Sequence, residues 1–228
     1  MNTKYFYLLA MSLFFMACGG ASDETAVQSE DEAKDILEQL EEPQPVKNTD
    51  ITEKMLNKFV PEGYQIVKWQ IGNLNMDDKD DVILVIGKAE DETATETGST
   101  DYEEMNEEKR PLLILTMEDN GNLKEMARND KVVMCPDCGG VMGDPFGDAG
   151  SIVIKNGYFS IENMGGSRER WVRIITFKYN TTKKSWFLHK DGQVSWDTME
   201  ADSEEETVYS TKDFGVVPFE AYNYVNQF

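Results

Sequence analysis

The stretch that decides the fold is residues 171–179, which read WVRIITFKY. Trp171, Arg173, Ile175, Phe177 and Tyr179 alternate with Val172, Ile174, Thr176 and Lys178. Successive side chains of a strand point to opposite faces of its sheet, so this order places apolar groups on both faces. Aromatic and β-branched residues also favour strands. The stretch therefore predicts a central strand at the core of a sheet.

Seven more segments along the chain have the character of strands. They are Tyr64 to Gln70, Val82 to Ile86, Leu112 to Met117, Leu123 to Arg128, Ser151 to Lys155, Tyr158 to Glu162 and Ser185 to Lys190. Asn120-Gly121 and Asn156-Gly157 lie between pairs of these segments and are typical of tight hairpin turns. Two acidic inserts, Ala89 to Arg110 and Thr198 to Glu206, lack hydrophobic periodicity and predict long surface loops.

A helix is predicted over Ile51 to Phe59, because Asp50 and Glu53 have capping-box spacing and Pro61 follows. Hairpin signals between strands favour antiparallel pairing. We therefore expect a mainly β domain, α+β at the margin, built as an antiparallel sheet or sandwich with one or two minor helices. The domain is predicted to be a single one spanning residues 50–228, which is long enough to fold without a disulfide framework.

The N-terminus has the layout of an export signal that ends at Cys18. One positive charge, Lys4, precedes an apolar run from Tyr5 to Ala17 that is too short to remain in a bilayer as a spanning helix. Phe15-Met16-Ala17-Cys18 resembles the lipobox of bacterial lipoproteins. That resemblance implies a signal peptide at 1–17 and lipid attachment at Cys18, which would anchor the protein to the membrane. The alternative is a plain signal peptide that is cleaved elsewhere.

Residues 18–49 are acidic and predict a largely disordered tether. Ser22-Asp23-Glu24 resembles a short form of the acidic signal that displays some lipoproteins on the cell surface. Gly19 follows Cys18, which resembles lipoproteins sorted to the outer membrane. The sequence thus implies an outer-membrane lipoprotein that faces the periplasm or the cell surface.

The charge of the chain excludes one class of partner. Without Lys4, the mature chain has 21 basic and 43 acidic residues, a net charge of −22. Such a surface repels nucleic acid, so we expect no nucleic-acid partner.

A loop between two predicted strands concentrates oxygen ligands at alternate positions. Residues 73–81 read NLNMDDKDD. Calcium takes six to eight oxygens, and a loop can supply them from its first, third, fifth and ninth side chains and its seventh carbonyl. Asn73, Asn75, Asp77 and Asp81 would provide those side chains, and Lys79 the carbonyl. A hydrophilic turn that binds no metal is the alternative.

This loop resembles the Asp-x-Asn-x-Asp-Gly-x-x-Asp calcium loop of FG-GAP and VCBS-type repeats. Asn73 replaces the usual first Asp and Asp78 replaces the Gly, so any calcium site should be weak. A single copy does not favour a propeller.

The order of several motifs resembles a family of exported bacterial proteins of uncharacterised activity, often lipoproteins, with a single calcium-like loop. The motifs that carry the resemblance are Phe59-Val60-Pro61-Glu62-Gly63-Tyr64, the loop at 73–81, Cys-x-x-Cys-Gly-Gly from Cys135, Gly143-Asp144-Pro145-Phe146, Ile154-Lys155-Asn156-Gly157 and Thr176-Phe177-Lys178-Tyr179. The resemblance implies fold and location and no known activity.

Cys135 and Cys138 are the two cysteines that remain once Cys18 is assigned to lipid. Outside the cytoplasm they predict a small-loop disulfide, since Gly139-Gly140 gives the backbone the necessary freedom. Two alternatives remain, a thiol-redox site and a metal site. A thiol-redox site needs a helix after the first cysteine. A metal site needs ligands beyond the two cysteines and the single histidine, His189.

Signatures of nucleophilic catalysis are missing from the sequence, which has neither Gly-x-Ser-x-Gly nor His-Glu-x-x-His. Ser167 follows Gly165-Gly166 and predicts a turn. Four tryptophans, Trp69, Trp171, Trp186 and Trp196, are candidates for a sugar platform, although tryptophan at strand spacing also suits a core. We expect a non-enzymatic binding or structural module with an envelope protein or glycan as ligand. An envelope hydrolase or thiol-redox enzyme is the alternative.

Overall fold

The structure is a computed structural model that describes residues 51–89, 109–147, 150–200 and 202–225. The described residues belong to one compact unit. Cys18, the predicted signal peptide at 1–17 and the predicted tether at 18–49 lie outside the described residues. Most of the insert from Ala89 to Arg110 also lies outside them.

The protein is mainly β, as the sequence predicts, and its described residues form two antiparallel sheets. The first sheet has the order β1-β2-β3-β4, and its strands are β1 (Tyr64–Gly72), β2 (Asp81–Lys88), β3 (Leu112–Met117) and β4 (Leu123–Asn129). The second sheet has the order β5-β6-β7-β8-β9, with β5 (Ser151–Lys155), β6 (Tyr158–Gly166), β7 (Glu169–Asn180), β8 (Ser185–Asp197) and β9 (Glu205–Ser210). The stretch at 171–179 lies in β7, at the centre of the second sheet.

One apolar core draws on both sheets. Ile83, Val85 and Ile114 from the first sheet belong to the same buried cluster as Phe159 and Phe177 from the second. Phe159 and Phe177 stack with ring centroids 5.0 Å apart. We call the face of each sheet that contributes to this cluster its inner face.

A second apolar cluster lies on the other face of the first sheet. Val82, Leu84 and Ile86 of β2 belong to it, together with Ile51 and Leu56 from the start of the described chain. Strand β2 is therefore apolar on both faces, which explains why its sequence, Val82 to Ile86, is a continuous run rather than an alternating one.

Both predicted hairpins are present. Asn156 and Gly157 have φ values of 51° and 77° and join β5 to β6 directly, as a two-residue turn with left-handed central residues requires. The hairpin at Asn120-Gly121 has a longer loop, in which the N–H of Gly121 donates to the carbonyl of Glu118 at 3.0 Å. Ser167 lies in the short turn between β6 and β7, in agreement with its sequence context.

Three predictions need correction. The helix is interrupted, because α1 (Glu53–Leu56) is followed by a 3-10 turn (Asn57–Phe59). Its N-cap is Thr52 rather than Asp50, and Thr52 makes no side-chain cap. The insert at Thr198 to Glu206 is not wholly loop, since its last residues begin β9.

The chain after β9 returns to the second sheet. It forms α2 (Thr211–Phe214), which Ser210 and Asp213 close with a capping box, and a 3-10 turn (Phe219–Ala221). Another 3-10 segment, Pro136–Met142, contains the cysteine pair. Among the described residues, no helix is long and apolar enough to cross a membrane.

Candidate functional site

The loop that joins β1 to β2 is held by the buried residue Asp81. One carboxylate oxygen accepts the backbone N–H of Leu74 at 3.0 Å, and the other accepts that of Met117 at 3.1 Å. Leu74 is itself fully buried, and its carbonyl accepts the indole N–H of Trp186 at 3.0 Å. These bonds attach the start of the loop to its end, to β3 and to the second sheet.

The side chains at the other odd positions fold the loop upon itself. Asn73 Oδ1 accepts the N–H of Met76 at 2.7 Å, Asn75 Oδ1 accepts that of Asp77 at 2.9 Å, and Asp77 Oδ1 accepts that of Lys79 at 2.8 Å. Short polar side chains that bond to backbone two or three residues ahead are typical of Asx turns.

The structure brings most of the predicted calcium ligands together. The amide of Asn73 donates to the carbonyl of Asp77, and the amide of Asn75 donates to Asp77 Oδ2 at 2.8 Å. The ammonium of Lys79 pairs with exposed Asp119 in the next hairpin. Asp77 is close enough to Asp81 for its charge to raise the pKa of Asp81.

The pKa of Asp81 is raised to about 6, and its burial is the largest cause. The negative charge of Asp77 adds to the shift, while the backbone N–H groups of Met117 and Leu74 oppose it by stabilising the carboxylate. Among the ion pairs of the described residues, none includes Asp81. Its charge is thus compensated by backbone dipoles and not by a neighbouring cation.

These residues fit calcium by the chemistry of their donors. Asp81 accepts three backbone N–H groups, those of Leu74, Met117 and Asn75. Each other side-chain oxygen of the loop that accepts one N–H has a second lone pair. Hard cations prefer such oxygens. Within the described ranges, no group of three or more His, Cys, Asp or Glu side chains is placed to hold a metal. The predicted set has only two acidic members, Asp77 and Asp81, and its other donors are amide and carbonyl oxygens.

One detail of the loop differs from the resemblance. The family loop has Gly at the position of Asp78, but the left-handed residue here is Met76, with a φ of 64°. Met76 lies against Gly157 of the β5–β6 turn, where a Cβ would lie 2.7 Å from its side chain. A residue larger than glycine at 157 would therefore push the Met76 side chain aside, and the φ of 77° would strain its backbone.

Cys135 and Cys138 have their sulfur atoms at bonding distance, 2.07 Å. Cys135 is buried, and the 3-10 segment that follows it is interrupted at Gly140, which has a φ of 66°. A thiol-redox cysteine needs the dipole of a helix at this place, and a short, broken 3-10 turn supplies little of it. Cys138 Sγ lies 3.5 Å from the hydroxyl of Tyr224, near the C-terminus.

The four tryptophans do not share one surface. Trp186 is buried in the core, and Trp69 packs against the second apolar cluster of the first sheet. Trp171 pairs with Ser195 in the β7–β8 register while Trp196 pairs with Arg170, so these two side chains point to opposite faces of the second sheet. The sugar platform that the sequence allowed is therefore not assembled from these residues.

A buried ionic cluster that the sequence did not reveal lies at one end of the inner face of the second sheet. Arg173 donates to Asp191 through Nε at 2.9 Å and Nη2 at 2.8 Å. The hydroxyl of Tyr222 donates to the same carboxylate at 2.7 Å, and Arg173 Nη1 donates to the carbonyl of Tyr224 at 3.0 Å. Burial and the charge of Asp191 raise the pKa of Tyr222, so this hydroxyl stays protonated.

This cluster attaches the C-terminal segment to the sheet. A second attachment comes from Asn129, whose amide donates to the carbonyls of Phe219 and Tyr222. The only sequence signal was a charged residue, Arg173, on the otherwise apolar face of a central strand. Its partner Asp191 lies in the next strand but could not be assigned, because a bulge shifts the β7–β8 register between Thr176 and Phe177.

In comparisons with protein-family models, curated proteins and solved structures, no match to the chain was found.

Proposed function

We propose that this chain is a lipid-anchored protein of the bacterial outer membrane whose β domain acts as a non-enzymatic binding or structural module. Cys18 carries the lipid and residues 18–49 form the tether. The loop at 73–81 is a weak calcium site, with Asn73, Asn75, Asp77 and Asp81 as side-chain ligands and Lys79 as a carbonyl ligand.

The observation that supports the calcium site is the environment of Asp81. A carboxylate with no exposed surface is costly to ionise, and such groups are normally paired with a cation or bound to a metal. Asp77 brings a second negative charge to the same loop. Backbone N–H groups bond to both carboxylates, and a bound calcium ion would add the full positive charge that these dipoles lack.

A thiol-redox function is the weaker alternative. Buried Cys135 offers little access to a partner thiol, and its surroundings lack the helix that activates such cysteines. The disulfide is better explained as a structural link in the segment that packs beside Tyr224.

Calcium binding is tested by melting the mature chain with and without calcium. Two charged ligands place the dissociation constant at the weak end of protein sites, on the order of 10⁻⁴ to 10⁻³ M. At ten times that constant, calcium that binds only the folded state adds about 1.4 kcal/mol. For a domain of this size the melting temperature should rise by roughly 3–6 °C.

Two substitutions in the same loop give a matched comparison. Asp77→Asn removes a charged ligand and should abolish the rise, while Asp78→Asn removes an exposed charge at a non-ligand position and should leave most of it. Asn73→Asp should enlarge the rise by restoring the first carboxylate of the family loop. If neither the natural chain nor Asn73→Asp responds to calcium, the loop is a polar turn and the metal assignment is wrong.

A further inference from the structure

We propose that Asn163 and Arg173 bind internal water at the inner face of the second sheet, and that this water completes the buried cluster that attaches the C-terminal segment. The site takes a small molecule that both donates and accepts hydrogen bonds.

Asn163 is the unusual residue. Its side chain is buried at 1 % exposure, and within the described part of the chain neither its amide nitrogen nor its amide oxygen has a hydrogen-bond partner. It follows Phe159 and Ile161 at two-residue spacing, so it shares the inner face of β6 with these two core residues. A buried amide without any partner is strongly unfavourable, and native proteins satisfy nearly all such groups.

Arg173 is the cross-strand neighbour of Asn163 in the β6–β7 register. Side chains opposite each other on one face of an antiparallel pair have Cβ atoms about 5 Å apart. The guanidinium has five N–H groups. The bonds to Asp191, Tyr222 and Tyr224 use four of them, and the second N–H of Nη1 has no partner among the described residues.

Water can satisfy all three sets of atoms, because it both donates and accepts hydrogen bonds. Water accepts from Arg173 Nη1 and from the amide nitrogen of Asn163, and it donates to the amide oxygen. The neighbouring inner-face position on β6 is Gly165, and the indole ring of Trp171 covers it, since a Cβ at 165 would collide with that ring. Buried waters typically make about three hydrogen bonds to otherwise unpaired polar groups.

The direct test is nuclear magnetic resonance of the natural chain. Water held at this site should give cross-relaxation between water and the side-chain amide protons of Asn163, without exchange of those protons. A signal from the Asn163 amide that shows no contact with water would overturn the proposal, as would a crystal structure in which the amide bonds directly to protein.

The melting temperature of a variant gives a second test, because the direction of its change depends on whether water is bound. Asn163→Leu keeps the volume but removes the water site and leaves the free N–H of Arg173 unpaired. The melting temperature should fall by about 3 °C or more. Exposed Asn122→Leu is the control and should change little. If Asn163→Leu melts at or above the melting temperature of the natural chain, the Asn163 amide has no bound water and the proposal is wrong. Should the variant not fold, the resonance measurement on the natural chain still decides.

Discussion

Asp191→Asn is the substitution that most directly tests the buried ionic cluster. The carboxylate of Asp191 accepts from two nitrogens of Arg173 and from the hydroxyl of Tyr222, and its side chain is 3 % exposed. Asparagine removes the charge. Its NH₂ group also replaces one carboxylate oxygen, so two hydrogen-bond donors would then face each other. Loss of one partner of a buried ion pair costs about 3–5 kcal/mol. Because the amide oxygen retains part of the bonding, we expect about 2–4 kcal/mol.

Urea denaturation at neutral pH measures this loss. The midpoint should fall while the slope of free energy against urea stays constant, since the surface exposed on unfolding is unchanged. Asp119→Asn is a matched control, because it breaks the ion pair with Lys79 at a carboxylate that is 98 % exposed. We expect the control to change the midpoint very little, as is usual for surface pairs. Equal effects in the two variants, or a loss below about 1 kcal/mol for Asp191→Asn, would refute the reasoning.

Three further predictions address other parts of the molecule. Cys18→Ser should release the protein from the membrane fraction, because the lipid is its proposed anchor, and a variant that stays in the membrane pellet contradicts this. The double variant Cys135→Ser, Cys138→Ser should lose only modest stability, since so short a loop restricts the unfolded chain little, and the natural protein should not catalyse insulin reduction. Burial raises the pKa of Asp81 from 3.8 to about 6. Protonation of this carboxyl should therefore stabilise the folded state by about 3 kcal/mol below about pH 4, and this contribution should be lost as the pH rises through 6. The difference in unfolding free energy between the natural chain and Asp81→Asn should therefore favour the natural chain more at pH 4 than at pH 7.5, and a constant difference would contradict the prediction.

Most strands could be predicted from their hydrophobic patterns. A strand with one apolar face alternates apolar and polar residues, and a strand with two apolar faces is apolar at nearly every position. β2 and β7 were the clearest, since they lie inside the sheets and have β-branched residues on both sides. β9 could not be predicted, because Glu205 and Glu206 at its start have the composition of the acidic loop before it. Charge on an edge strand is a common protection against pairing with other chains, and it hides the strand from a hydrophobic pattern.

The candidate site was partly predictable for a related reason. The loop at 73–81 has a local pattern, so its polar side chains could be placed from sequence spacing alone. The roles of Leu74 and Trp186 could not, because the bond between them joins residues 112 positions apart in the chain. The buried cluster was likewise hidden, since Arg173, Asp191 and Tyr222 meet only once the register and the return of the C-terminal segment are known.

The bonds of the 73–81 loop also explain why a calcium effect should be modest. In a loop whose shape depends on metal, binding and folding are one process, and removal of the metal unfolds the site. Here Asp81 closes the loop through Leu74 and Met117, and Trp186 fixes Leu74 from the other sheet. The side chains of Asn73, Asn75 and Asp77 hold the turns between. The loop is thus formed by protein bonds in advance, and calcium would add the attraction to two carboxylates without having to organise the backbone. We therefore expect chelation to lower the melting temperature by only a few degrees and to leave the two sheets intact, a result that circular dichroism and the melting curve can check together.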